Sequence, residues 1–206
     1  MKHGKIGLLW LLLAGAGTVV AGEVAFAPAA GWTVDGARAV AAGNAGAALL
    51  AAKAPELSGS FTYDVRIRML GKNAGETDWK NAGIVIFRDG RNFLQLALCE
   101  TPDRNGGRHF VEFKQMNEGK WGSHSGIEPG EYRSDYDWQY DYEYRLSITV
   151  TPTAGIARLM TADGRVLAEM KMPWAGGQAV RSGRPALRAV GCRAEFSGAS
   201  IVGDGK

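Results

Sequence analysis

The stretch Asn81–Glu100, NAGIVIFRDGRNFLQLALCE, contains two apolar segments separated by Asp89-Gly90. In the second segment, Leu94, Leu96 and Leu98 alternate with Phe93, Gln95 and Ala97. Apolar residues at every second position are typical of a β-strand that buries one face. Asp-Gly between two such segments favours a tight hairpin turn. The stretch therefore predicts an antiparallel β-hairpin.

The same period of two recurs along the chain. It is found in FTYDVRIRM (61–69), HFVEFKQ (109–115), YRLSITV (144–150), ALRAV (186–190) and AEFSGASIV (194–202), and IARLMTADGRVLAEMKM (156–172) predicts a hairpin about Asp163-Gly164. The alanine-rich stretch 37–57 favours a helix by composition, but it has no apolar stripe of period 3.6 and contains Gly43 and Gly46. We interpret it as two short strands, with a helical turn as the alternative.

Many short strands with Gly and Asp turns predict an all-β fold, a sandwich or a barrel. We predict an antiparallel two-sheet β-sandwich. Consecutive strands with short connections usually pair. On that ground we expect the strands at 61–69, 84–88, 93–98 and 111–115 to share one sheet.

The first 22 residues differ in composition from the rest. Lys2 and Lys5 precede the apolar run Ile6–Ala14, which small residues follow. This order is typical of a signal peptide, with Val19 and Ala21 fitting the cleavage site. We therefore predict a signal peptide over residues 1–22, a single β-sandwich domain over residues 23–206, and a secreted or periplasmic location.

Charge and hydropathy argue against two kinds of partner. Removing the signal peptide takes two of the 24 basic residues and none of the 21 acidic ones, which leaves a formal charge of +1. This balance argues against binding to nucleic acid. The first apolar run is short for a membrane span, and no later segment comes closer. We expect no membrane span in the mature chain.

Cysteine and histidine are scarce. Cys99 and Cys192 both adjoin predicted strands, and the sequence leaves open whether they form a disulfide or remain buried thiols. With His109 and His124 they give no metal-ligand spacing. We therefore assign no metal site and no cofactor, and no motif supports a calcium ion.

A family resemblance covers about Glu23 to Val202. The chain resembles the concanavalin A-like lectin/glucanase jelly roll in the order of five segments. These are GWTVDGARAV, FTYDVRIRM, NAGIVIFRDGRNFLQLAL, YRLSITVTPTAGIARLMTADGRVLAEM and GRPALRAVGCRAEFSGASIV. Within that superfamily the chain is most similar to secreted domains of the 3-keto-disaccharide hydrolase type, and more distantly to laminin G-like modules. The resemblance implies a jelly-roll sandwich and a carbohydrate partner.

The resemblance also raises the question of catalysis. Hydrolases of glycoside hydrolase family 16 share this fold and use Glu-x-Asp followed by a second Glu on one strand. The matching segment here is Glu76-Thr77-Asp78-Trp79-Lys80-Asn81, and neither Lys80 nor Asn81 can act as the acid/base. Without two carboxylates placed on either side of the scissile bond, the usual hydrolytic mechanisms cannot operate. We predict that Glu76 and Asp78 are not catalytic, and we assign no catalytic residue.

Three functions remain in view. The leading prediction is a secreted glycan-binding domain that recognises carbohydrate on the concave face of a sheet. The first alternative is a glycoside-cleaving enzyme of the 3-keto-disaccharide hydrolase type, for which the catalytic pattern is incomplete. The second alternative is an envelope structural or protein-interaction module.

A carbohydrate site needs hydrogen-bonding side chains together with an aromatic plane. Side chains opposite the predicted core provide the first group, and nearby loops provide the second. The polar candidates are Arg66, Arg68, Arg88, Gln95, Glu112 and Lys114, and the aromatic candidates are Trp79, Trp121, Tyr136 and Trp138. The last two belong to the aromatic and acidic segment Tyr132–Tyr142. In the resembling domains a tryptophan followed by Tyr-x-Leu leads into a core strand, and Trp138 with Tyr144, Arg145 and Leu146 matches that arrangement.

Overall fold

A computed structural model describes residues 22–43, 49–52, 54–121, 131–174 and 179–203, and within them it contains sixteen β-strands and no α-helix. The strands are β1 (Gly22–Glu23), β2 (Ala25–Phe26), β3 (Trp32–Asp35), β4 (Arg38–Ala42), β5 (Leu49–Ala52), β6 (Phe61–Lys72), β7 (Lys80–Asp89), β8 (Asn92–Glu100), β9 (His109–Asn117), β10 (Lys120–Trp121), β11 (Glu131–Ser134), β12 (Glu143–Val150), β13 (Ala154–Thr161), β14 (Val166–Pro173), β15 (Arg184–Val190) and β16 (Cys192–Gly203). A short 3-10 turn covers Asp103–Asn105.

The strands form two antiparallel sheets. Sheet 1 has the order β14-β13-β12-β6-β16-β4-β3, with β1 also paired to β16. Sheet 2 has the order β10-β9-β8-β7-β15-β5-β2, with β11 also paired to β9. The predicted all-β, antiparallel two-sheet sandwich is confirmed.

The core lies between the two sheets and follows the alternation in the sequence. From sheet 1, β6 contributes Phe61, Tyr63, Val65, Ile67 and Met69, all buried. From sheet 2, the inward side chains include Ile84, Ile86, Leu94, Leu96, Leu98, Val111 and Phe113. Burial of this apolar surface is the main stabilising contribution to such a fold. The opposite side chains of sheet 2 are therefore left for its outer face.

The hairpins predicted from Asp-Gly pairs are confirmed. Asp89 pairs with Asn92 at the end of the β7–β8 hairpin, and the Asp89 carboxylate accepts a hydrogen bond from the backbone N–H of Arg91 at 2.7 Å. The second hairpin joins β13 to β14 around Gly164, whose φ of 94° favours glycine. In the alanine-rich stretch the structure has strands β4 and β5, so the two-strand interpretation is confirmed, and its described residues, 37–43, 49–52 and 54–57, contain no helix.

The expected pairing of β6 with β7 is wrong. Strand β6 pairs with β12 and β16 in sheet 1, whereas β7 pairs with β8 and β15 in sheet 2. The polar connection between Lys72 and Lys80 carries the chain from one sheet to the other. An alternating pattern shows which side of a strand is buried, but both sheets bury a face against the same core. The pattern therefore gave no information about the sheet to which β6 belongs.

Three further predictions concern the chain ends and the cysteines. The predicted signal peptide falls on residues 1–21, which lie outside the described part, and on Gly22, which begins β1. Within the described ranges, no helix is both long enough and apolar enough to span a bilayer. Cys99 and Cys192 are buried free thiols, so the disulfide that the sequence left open is not formed.

Candidate functional site

The centre of the outer face of sheet 2 is built from small and apolar residues. Gly83 pairs with Ala97 across β7 and β8, and Val85 pairs with Ala186 across β7 and β15. All four are buried. A Cβ atom at Gly83 would overlap the carbonyl of Leu96, so glycine allows the two strands to approach closely there. Long side chains from either side can therefore reach across this centre.

Arg188 reaches across the face from β15. Its Nη1 donates hydrogen bonds to the Asn81 side-chain oxygen at 2.8 Å and to the Gln95 side-chain oxygen at 3.1 Å. The two amides come from β7 and β8, so three adjacent strands fix one guanidinium group. Gln95 is only 1% exposed. Burial lowers the pKa of Arg188 from its usual value, but an arginine remains charged at neutral pH.

Glu112 and Lys114 of β9 form the other side of the polar row. The Lys114 ammonium lies 2.5 Å from one carboxylate oxygen of Glu112, and the Arg133 guanidinium lies 3.7 Å from the other. Arg133 stands opposite Glu112 on β11. The row thus offers a buried carboxylate and several cationic donors across five strands of the sheet.

Aromatic rings lie at both ends of this row. At one end, the Phe93 and Trp121 rings meet edge to face with 5.2 Å between centroids, and Lys114 lies 4.1 Å from the centroid of the Trp121 ring. At the other end, Phe110 contacts Trp79 edge to face at 6.1 Å, and the Arg133 guanidinium lies over Phe110 at 4.2 Å. Phe93 and Cys99, which mark the two ends on β8, are about 20 Å apart at the usual rise of a strand.

An open cleft of about 600 Å³ adjoins the Phe110 end of the face. Phe110 and Arg133 line both the cleft and the polar row. The far side of the cleft includes His109, Asp135 and Asp137. His109 Nδ1 lies 3.6 Å from an Asp137 carboxylate oxygen, so an imidazole and an exposed carboxylate stand together in the cleft.

Beneath the cleft, a buried ionic cluster closes the end of the sandwich. The Lys80 side chain is 0% exposed, and its ammonium contacts Asp103 at 2.6 Å and Glu100 at 3.1 Å. Tyr140 donates a short hydrogen bond to the second oxygen of Glu100, and His109 Nε2 lies 3.5 Å from it. Burial alone would lower the pKa of Lys80, but the two carboxylates outweigh it and raise that pKa. Burial, reinforced by Glu100, raises the pKa of Tyr140.

The structure brings together some of the predicted ligand residues. Gln95, Glu112 and Lys114 lie side by side on the outer face of sheet 2, with Trp121 at one end. Trp79, 42% exposed, lies at the opposite end beside Phe110. Whether these residues bind a ligand stays a prediction.

Other predicted residues lie elsewhere. Arg66 and Arg68 belong to β6 in sheet 1, and Arg68 makes an ion pair with Glu195 at 3.0 Å. Their grouping with the β8 and β9 residues is wrong because β6 lies in the other sheet. Arg88 is exposed in an irregularity between Phe87 and Asp89, at the end of β7.

Trp138 and Tyr136, the two predicted ligand residues of the acidic segment, pack against the protein interior. Trp138 is fully buried, donates hydrogen bonds to the carbonyls of Cys99 and Phe110, both at 3.1 Å, and stacks on His109 at 3.9 Å. Tyr136 is partly buried against the core and meets Tyr144 edge to face at 6.2 Å. The prediction that Trp138 faces a ligand is wrong, because its ring fills the interior.

Arg188, Asn81 and Arg133 of this face are not among the site residues predicted from the sequence. A signal for Arg188 was present, since the alternation in ALRAV places Arg188 opposite the inward Leu187 and Ala189. Arg133 gave no comparable signal, because the aromatic and acidic composition around it obscured the short strand β11.

The segment that resembles the family 16 pattern begins in the connection between the two sheets, at Glu76, and ends in the first two residues of β7, Lys80 and Asn81. The Glu76 carboxylate accepts a hydrogen bond from the backbone N–H of Asp78 at 2.8 Å, and Asp78 lies 3.6 Å from the exposed Arg104. These contacts stabilise a loop. Among the described residues, no group of three or more His, Cys, Asp or Glu side chains has an arrangement that could hold a metal ion.

Comparison with known proteins identifies the fold. No family model and no curated protein matches the chain. A protein of unknown function from Saccharomyces cerevisiae has a TM-score of 0.60 at 12% identity, over 87% of this chain and 95% of its own. The carbohydrate-binding module CBM66 from Bacillus subtilis has a TM-score of 0.55 at 13% identity, over 91% and 96%.

A third structure is a double mutant of the alginate lyase Aly36B in complex with alginate trisaccharide. It has a TM-score of 0.53 at 11% identity, over 92% of this chain and 94% of its own. At such identities, likeness establishes the fold. The predicted β-sandwich jelly roll is thereby confirmed. The resemblance to the concanavalin A-like lectin/glucanase superfamily, and within it to 3-keto-disaccharide hydrolase-type domains, stays a prediction.

Proposed function

We propose that this protein is a secreted glycan-binding domain whose carbohydrate site is the outer face of sheet 2. The observation that carries the proposal is the row formed by Arg188, Gln95, Lys114 and Glu112, with aromatic rings at both ends. The row offers cationic donors to sugar hydroxyls, the buried Gln95 and Glu112 hold those donors in place, and Trp121 gives a plane for the apolar side of a sugar ring.

The fold neighbours support this choice of ligand class. One is a carbohydrate-binding module, and another was solved with an alginate trisaccharide bound. Their ligands are properties of those proteins. They support testing carbohydrate first, because a jelly roll of this shape hosts such ligands in both.

A glycan array with the purified protein tests the proposal, repeated with added calcium and with a chelator. We expect saccharide binding that Trp121→Ala and Gln95→Ala weaken at least tenfold, since the first removes the stacking plane and the second removes a hydrogen bond that holds Arg188 in place. Lys171→Ala is the matched control, because Lys171 is exposed on β14 of sheet 1. Equal loss in the control, or unchanged binding in both site variants, would place the glycan elsewhere.

Secretion rests on the basic and apolar order at the start of the sequence. N-terminal sequencing of exported protein should begin near Gly22 and lack Lys2. A mature chain that retained Lys2 would contradict this part of the proposal.

An enzymatic role is the second candidate, and the cleft beside the face favours it. His109 and Asp137 stand 3.6 Å apart there, and both residue types can transfer protons. The activity implied by the family resemblance is cleavage of a 3-keto-disaccharide. Release of monosaccharide from such a substrate, abolished in Asp137→Asn, would establish it. No release by folded wild-type protein would exclude this activity.

A further inference from the structure

Arg188 differs from Arg68 and Arg145 of sheet 1 in the groups that contact its guanidinium. Among the described residues, no carboxylate oxygen lies within 4.0 Å of its guanidinium, and its hydrogen bonds go to the neutral amides of Asn81 and Gln95. On sheet 1, Arg145 pairs with Asp64 at 3.0 Å. An amide oxygen orients a guanidinium but does not neutralise it. A largely buried cation is therefore fixed in place with no described carboxylate in contact with it, although Glu112 acts on it from a greater distance.

The acidic groups near Arg188 do not provide a counter-ion in contact with it. The carboxylate of Glu112 contacts Lys114 at 2.5 Å and Arg133 at 3.7 Å. The thiols of Cys99 and Cys192 are protonated at neutral pH, since burial raises the pKa of Cys192 to about 12 and that of Cys99 well above its usual value. Burying a charge without a partner is costly. Such a cost is recovered when a ligand brings the opposite charge.

We propose that the outer face of sheet 2 binds an anionic sugar and that Arg188 binds its carboxylate or sulfate group. The inference rests on the proposed function and specifies the class of glycan. Among the described residues only Nη1 of Arg188 has a hydrogen-bond acceptor, and Nε and Nη2 have none. A planar guanidinium with free donors is suited to two oxygens of one anionic group.

The surroundings of Arg188 suit a sugar that carries this anion. Its guanidinium carbon lies 5.9 Å from the centroid of the Phe93 ring and 5.8 Å from that of the Trp121 ring. A sugar ring placed over Trp121 could therefore direct a substituent towards Arg188. Gln95 is buried and accepts a hydrogen bond from Arg188, so it holds the guanidinium in place beside these rings.

Two matched pairs of probes separate the carboxylate from the sulfate. The first pair is trigalacturonate and its neutral methyl ester, and the second is a sulfated galactose trisaccharide and its desulfated form. Calorimetry on the full protein should show one charged probe bound at least tenfold more tightly than its neutral partner. The pair that shows the preference identifies the anion.

Variants of Arg188 test its role. Arg188→Gln should remove the preference for the charged probe over its neutral partner, and Arg188→Lys should restore only part of that preference because the flat fork is lost. Arg193→Gln is the control, since Arg193 is exposed on β16 of sheet 1. A further test needs only the wild-type protein: raising sodium chloride from about 50 to 500 mM should weaken its binding of the charged probe.

The salt series keeps the test valid if an Arg188 variant does not fold. Equal affinity of wild-type protein for both members of each pair would overturn the anionic assignment and leave the proposed function standing. Binding of no saccharide at all would overturn the proposed function itself.

Discussion

The ammonium group of Lys114 lies 4.1 Å from the centroid of the Trp121 ring, and the same group contacts the Glu112 carboxylate at 2.5 Å. Lys114 thus links the aromatic end of the outer face to its polar row. Cation–π contact and ion pairing together fix the orientation of the indole. A ring held in this way is suited to stack on a sugar, because little conformational freedom remains to be lost on binding.

Replacement of Trp121 should therefore affect binding more than stability. For the glycan identified on the array, Trp121→Ala should weaken binding at least tenfold, while Trp121→Phe should weaken it less because a ring remains. Trp121 belongs to the two-residue strand β10 at the end of sheet 2, so the melting temperature should change by only a few degrees. Calorimetric titration and thermal unfolding of the three proteins measure both effects.

Trp138 should show the opposite behaviour. Trp138→Phe keeps a ring in the interior but leaves the carbonyls of Cys99 and Phe110 without their indole donor. Loss of a buried hydrogen-bond partner should lower the free energy of unfolding by about 2 kcal/mol. Urea unfolding measures it, and glycan affinity should stay within twofold of wild type. Weaker binding at unchanged stability would mean that Trp138 contacts the ligand after all.

Lys80 and Lys72 offer a matched pair, because both contact Asp103. Lys80 is fully buried between Asp103 and Glu100, whereas Lys72 reaches the other oxygen of Asp103 from an exposed position at 2.9 Å. Lys80→Met leaves Glu100 buried without its cation and should cost about 3 kcal/mol or more in free energy of unfolding. Lys72→Met should cost less than about 1 kcal/mol. Similar losses in the two variants, measured by urea unfolding, would show that burial does not decide the strength of these contacts.

The alternation around Leu94, Leu96 and Leu98 was sufficient to predict the β8 strand, its inward face and its hairpin with β7. It also placed Gln95 and Lys114 on a common outer face, because β8 and β9 are consecutive and pair in register. Period-two patterning follows directly from strand geometry and needs no knowledge of the partner strand. This is why the strands and their faces could be predicted from the sequence.

The pairing of distant strands could not be predicted in the same way. Arg68 meets Glu195 because β6 pairs with β16, which lies more than 100 residues further along the chain. Nothing local in FTYDVRIRM distinguishes that partner from β7. Trp138 was misassigned for a related reason, since its acidic neighbours indicated an exposed loop while the cavity that it fills is formed by residues from β8 and β9.

The buried thiols provide a prediction about pH. Burial raises the pKa of Cys192 to about 12 and raises that of Cys99 as well, whereas a cysteine in an unfolded chain ionises near about 8.5. Above about pH 8.5 the unfolded state therefore loses protons that the folded state keeps. Because the folded state then binds more protons, the free energy of unfolding must fall as pH rises.

The loss of stability begins near about pH 8.5 and continues towards the folded pKa of Cys192, about 12. The interval from about pH 8.5 to 9.5 is suited to measuring it, because tyrosines of the unfolded chain ionise only at higher pH. Urea unfolding in the presence of reductant at pH 7.5, 8.5 and 9.5 measures it, with at most about 1.4 kcal/mol lost per thiol over one pH unit. The variant with both Cys99→Ala and Cys192→Ala is the control: its stability at pH 7.5 can differ, but its dependence on pH should be flatter. Equal slopes for the two proteins would show that neither thiol contributes and that other groups cause any decline.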